Sequence, residues 1–319
     1  MSQERANELS VLYYNTALRN PCIFPDVTID QSLLKYSGTN SNAELQRFSQ
    51  DLINSVPGFV DRIGTRVAPL AAVPNAVGLG ALVISMILEI IIKSTAAPSV
   101  DSYSMLQRVF AEEKGSAVRD TMTEYLRLHD TLINDQQQLQ LDLHWLQMQL
   151  SGHLTILRNS MLLDGHMSSR GFKIWVNGAF FHLQMLIHKA RLNHQAGTLT
   201  STQVDSINRY IDLYLQDLDQ LLEKYKTYLA SITTLSRAQT CSRDGCYNTD
   251  CYIKSKESNC RARHYEGFRD YCEGDALIKA YANQIVTNYP PITGLKSQFL
   301  NVKNNLNVLI NQHDTFSLL

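Results

Sequence analysis

The sequence predicts an all-α fold, an elongated bundle of long antiparallel helices with a cysteine-rich loop inserted late in the chain. Three observations carry that expectation. Apolar residues recur at alternating steps of three and four along most of the chain, the spacing that lines one face of a helix. No strand-length stretch alternates convincingly with period two. Of 319 residues, 44% are hydrophobic and only 18% are charged, so the chain folds and has an unusually apolar part to hide. Lys and Arg (29) balance Asp and Glu (30), and no overall field draws the chain to nucleic acid or anionic lipid.

In chain order, an N-terminal arm spans 1–42 and a helical bundle is expected over 43–240. Ser41 and Glu44 have the spacing of a capping box before Leu45, Phe48, Leu52, Val56, Phe59 and Ile63, with Pro57-Gly58 as a kink. A second helical region begins near Asp101 or Ser102 and meets no proline to about Leu163. Its seam reads Val118, Met122, Tyr125, His129, Leu132, Gln136, Leu139, Leu143, Leu146, Leu150, His153 and Leu157. Unbroken from 118 to 157, that helix would be about 60 Å long.

A shorter helix is expected from Gly171 to Asn193, with Trp175, Phe180, Leu183 and Ile187. After caps at Thr200, Ser201 and Thr202 come Val204, Ile207, Ile211, Tyr214, Leu218, Leu221, Tyr225, Tyr228 and Ile232, stepping by three and four without a miss. A seam so sustained requires another long helix to pack against. C-terminal helices over 275–319 complete the bundle, broken at Pro290-Pro291 and ending with Leu295, Phe299, Val302, Leu306, Leu309 and His313 on one face.

The cysteine-rich insertion spans 241–274. Cys241, Cys246, Cys251, Cys260 and Cys272 fall in an otherwise polar stretch with little to bury, so disulfides are the first reading, with Cys22 available to complete six. Zinc held by Cys246, Cys251, Cys260 and His264 is a second reading, although no C-x2-C pair occurs; reduced surface thiols are a third. Disulfides imply an oxidising compartment, and the expected location is secreted or membrane-associated. Yet the first 30 residues hold acids and lack the apolar stretch of about 7 to 15 residues of an ordinary signal peptide.

The most unusual element is the apolar segment 67–92. Residues 67–88 form 22 positions without a charge, and three isoleucines follow Glu89 before Lys93. Such a helix would span about 33 Å, enough for a hydrocarbon layer of about 30 Å. Pro69 and Pro74 leave the stronger helical piece at 75–93. Its membrane-insertion candidates are Val77, Leu79, Leu82, Val83, Ile84, Met86, Ile87, Leu88, Ile90, Ile91 and Ile92. Three readings stand: a buried central helix of a soluble bundle, a transmembrane anchor, or a segment sheltered in a soluble form and released into lipid.

Catalytic motifs are missing. His182, His188 and His194 recur every six residues and therefore point to different helix faces, so they make no common site. His129 and His153 lie on the seam as polar interruptions that set register, or as a pH-responsive pair. No metalloprotease, hydrolase or phosphate-loop signature occurs, so neither an enzyme, a cofactor nor a metal site is expected.

This order of long helices around one apolar element resembles, over 45–235, the all-helical pore-forming toxins of the haemolysin E type. It is also similar to fish rapunzel-like proteins, in which an apolar Gly/Ala-containing run precedes a long Gln/Leu-rich helix, here Asp135 to Leu150. The resemblance implies a membrane-active, pore-forming helical protein, with membrane lipid and further copies of the chain as partners. The cysteine-rich insertion departs from the toxin pattern. The alternative is a non-enzymatic structural or protein-interaction bundle, soluble or membrane-anchored.

Overall fold

A computed structural model describes residues 1–55, 70, 72–93, 116–132, 135–242, 245–264 and 274–318. Pro57-Gly58, the helix start near 101 and Cys272 lie outside the described residues. The fold is predominantly helical, with small antiparallel strand pieces. It divides into two compact units. The first gathers Met1–Thr28, Ser160–Phe172 and Leu218–Leu295; the second gathers Ile29–Asn159, Lys173–Asp217 and Lys296–Leu319.

In the first unit, helix α1 (Gln3–Leu18) is capped by the Ser2 hydroxyl, which accepts from the Arg5 amide at 3.3 Å. It buries Ala6, Leu9, Tyr13 and Ala17. Against it packs a helix at Asp275–Asn288, whose Leu277, Tyr281 and Ile285 are buried. Phe24 stacks on Tyr289 with ring centroids 4.4 Å apart.

The expected cysteine-rich loop is instead a β-meander. Three strands, Thr233–Ser242, Gly245–Ser255 and Arg261–His264, pair antiparallel in chain order. Along residues 251–255 burial alternates: Cys251, Ile253 and Ser255 are buried while Tyr252 and Lys254 face outward. Asn259 takes a left-handed conformation (φ 55) in the last turn, where Ser255 donates its amide to the Cys260 carbonyl at 2.9 Å.

The second unit contains most of the long antiparallel helices, whose residues 160–162, 169–172 and 218–232 belong to the first. Leaving the short helix α2 (Gln31–Tyr36) and α3 (Ser41–Ser55), the chain forms α4 (Leu79–Lys93), α5 (Ser116–Thr131), α6 (Gln136–Leu162), α7 (Ser169–Gln195) and α8 (Ser201–Ile232). Helices α6 and α7 run antiparallel within this unit: the Gln140, His144, Gln147 and Leu154 side chains meet Asn193, Lys189, His182 and Gly178 in turn. Helix α8 runs back along α7, where Tyr214 meets both His182 and Trp175.

Thr200 and Gln203 form a reciprocal capping box at the start of α8, each accepting from the other's backbone amide. The α8 seam is buried from Ile207 to Tyr225, with its ends half-buried. The expected continuous helix through 118–157 is instead broken. Asp135 accepts from the Gln138 amide at 3.0 Å and opens α6 as an N-cap, four residues after α5 ends.

The Ser41 capping box is also absent. Its hydroxyl accepts from the Gly78 amide at 2.7 Å, and the Glu44 carboxylate pairs with Arg47. The C-terminal helix splits into Pro290–Asn304 and Leu306–Asn311, and His313 lies exposed beyond both.

Candidate functional site

The apolar run forms a bed-and-helix arrangement in the second unit. Val73 and Pro74 pair as a short strand with Phe316 and Thr315. The helix expected from Asn75 begins only at Leu79, because Asn75 and Gly78 both take left-handed backbone (φ 56). Gly78 is required there twice over: an L side chain is strained at that φ, and its Cβ would lie 2.3 Å from an Arg191 guanidinium nitrogen. Fifteen helical residues measure about 22 Å, less than a hydrocarbon layer of about 30 Å. Among the described residues, no helix is long and apolar enough to cross a membrane.

Val77, Leu79, Leu82, Val83, Ile84, Met86 and Leu88 are all buried, and Ile87 is half-buried. The side chains of Ile90, Ile91 and Ile92 lie outside the described residues. Consecutive positions 81–86 are buried, so α4 turns no face toward water over that stretch. Its neighbours include α2, α3 and α5. Ser85 satisfies its hydroxyl within the helix, on the Leu82 carbonyl at 2.7 Å, and Glu89 is only 7% exposed.

The surroundings of α4 are polar to an unusual degree. Arg191 on α7 is 1% exposed. Its guanidinium donates to the carbonyls of Leu309 (2.6 Å) and Val77 (3.4 Å) and to the Gln312 amide oxygen (3.5 Å). Burial draws its pKa down to about 10. One turn earlier on α7, the His188 ring touches the position of Gly80, whose added Cβ would sit 3.4 Å from Cε1.

His188 faces His129 of α5, with ring centroids 5.7 Å apart. Among the described residues neither nitrogen of His188 has a hydrogen-bond partner, nor does Nδ1 of His129, the Tyr125 hydroxyl or the Gln184 amide. Burial lowers His129 to about 4; for His188, burial and then the neighbouring His129 and Arg191 push it well below the ordinary value. The sequence placed His129 with His153 on one seam, but His153 turns to the Thr121 hydroxyl at 3.2 Å. His182 is separately satisfied by Gln147 and Tyr214, and His194 is exposed, so the three α7 histidines share no site.

A second feature was not legible as a site. Helix α6 carries no Asp, Glu, Lys or Arg from 143 to 157. On its outer face Leu141, Trp145, Met148 and Ile156 are 60%, 70%, 52% and 68% exposed. The seam reading accounted for the inner face alone; the charge-free outer face was the overlooked signal.

The cysteines resolve differently from the zinc reading. Cys22 is bonded to Cys260, with Cα atoms 5.9 Å apart across a sequence separation of 238. Cys251 is also disulfide-bonded, so the quartet with Cys246 and His264 loses two of its thiolates. Among the described residues no cluster of three or more His, Cys, Asp or Glu could hold a metal. The backbone places Cys241 opposite Cys246 across the first two strands. Comparison with protein-family models, with curated proteins and with solved structures gives no match.

Proposed function

We propose that this is a membrane-active helical protein that stores its apolar segment as α4 and releases it into lipid as an oligomer. The observation that carries this reading is the burial of α4 on successive faces by a segment that has no charge over 22 residues. Protein interior and acyl chains solvate leucine and isoleucine about equally, so exchanging one for the other costs the helix little. The unpartnered polar atoms around it raise the free energy of the sheltered arrangement, since each buried orphan costs about 1 to 3 kcal/mol. The exposed apolar face of α6 supplies a surface for first contact with lipid or with another copy.

The anchored alternative fits poorly with Cys22–Cys260, because both cysteines of one bond must share a compartment. A soluble structural bundle is favoured by one observation, the shortness of α4 against a bilayer.

Dye release from phosphatidylcholine–phosphatidylserine vesicles separates the two. Release by the wild type, abolished in Leu82→Asp plus Ile87→Asp and retained in Leu218→Ala, is the expected pattern. Release that survives the double aspartate variant would remove α4 from the mechanism, and no release by the wild type would favour the structural bundle.

A further inference from the structure

The sheltered helix rests on a buried pair of imidazoles. His188 lies between Gly80 of α4 and His129 of α5, deep in the second unit, with both ring nitrogens unpartnered. The groups that act on it are few. From α5 come His129 and Tyr125, whose hydroxyl has no partner; α7 contributes Arg191 and the neutral, unpartnered Gln184. Helix α4 presents Gly80, while its carboxylate, Glu89, bears on Tyr36 of α2. The C-terminal segment brings up the Leu309 carbonyl and the Gln312 amide oxygen, and Arg191 donates to both.

Among the described residues no acidic group is among the causes that shift the pair, and the one charged cause is the Arg191 cation. An imidazolium formed on His188 would be buried beside a like charge, with no acceptor already placed at either ring nitrogen. Hydration would relieve it, and parting of the packing around α4 is the opening that would admit water to the pair.

We propose that the His129–His188 pair, backed by Arg191, is a proton-operated latch that frees α4 when the surroundings acidify. The inference rests on α4 being the releasable element, and it adds the condition for release: a mildly acidic compartment. Each proton binds an imidazole nitrogen lone pair and no covalent bond is broken, so the switch reverses on neutralisation unless lipid has captured the helix.

Hydrogen exchange on the intact, disulfide-bonded chain tests the latch without lipid. After correction for intrinsic rates, α4 peptides should lose about tenfold or more of their protection between about pH 7.5 and pH 5. The variant His129→Leu plus His188→Leu should keep it. Unchanged wild-type protection, or an equal loss in the double variant, would overturn the latch.

Should that variant fail to fold, histidine ring NMR on the wild type decides the same question. Both rings should stay neutral until α4 opens, and a ring that titrates near its ordinary value with α4 still protected contradicts the proposal. Vesicles separate latch from insertion. Acid-driven opening with no dye release upholds the latch and sinks the membrane reading, whereas equal release at both pH values upholds insertion and sinks the latch.

Discussion

The two units hold themselves together in opposite ways. In the first, a polar meander that buries Cys251, Ile253 and Ala262 is tied by Cys22–Cys260 to the segment that follows α1. The second buries an almost purely aliphatic helix, yet sets His188 and Arg191 against its start, with His129 behind His188. Cross-linking compensates where apolar surface is scarce, chiefly by restricting the unfolded chain. Where apolar surface is abundant, the polar residues are free to serve something other than stability. Among the described residues the buried histidines, His129, His182 and His188, belong to the second unit.

Core truncation should affect both units most. Leu218→Ala in the first and Leu82→Ala in the second each remove a fully buried side chain and should cost about 2 to 5 kcal/mol in denaturant unfolding. An unchanged midpoint for Leu218→Ala would count against the packed α8 seam.

Acid should then set the units apart. His129 and His182 are held near 4 by burial, so the unfolded chain binds protons more readily than the fold. Their stabilising contribution is complete above the ordinary value of 6.5 and falls as pH drops toward 4, by about 3 kcal/mol for each ring. Exchange protection should fall in α7 of the second unit while α1 keeps its own.

Reduction should reverse that contrast. Breaking Cys22–Cys260 should cost about 2 to 4 kcal/mol, read as lost protection in α1 and the meander with α4 unaffected. The smallest effect belongs to surface ion pairs: Lys303→Ala, which removes the 2.5 Å contact with Asp212, should change stability by less than about 1 kcal/mol.

What the sequence made legible follows the range of the forces involved. Helix α8 was readable in detail because its seam and its Thr200–Gln203 cap are local, complete within a few residues. The late start of α4 was not. The left-handed Gly78 is held by Ser41 and crowded by Arg191, residues 37 and 113 positions away, and no local pattern encodes that.

The histidine pairing failed for the same reason. His129 shares a seam with His153 in one dimension, whereas its neighbour His188 arrives on another helix. The meander was hidden by composition: its alternation rests on Cys251, Ile253 and Ser255 amid residues that also suit loops. The apolar run itself was plain, since a stretch without charge is a property of the chain before it folds.

The central claim is that α4 exchanges protein neighbours for acyl chains. Vesicles carrying a photoactivatable group deep in the acyl chain test it directly: at mildly acidic pH the covalent label should appear on peptides from α4. Label confined to the exposed Leu141, Trp145, Met148 and Ile156 face of α6, with α4 unmarked, would mean that the protein touches lipid without surrendering its buried helix.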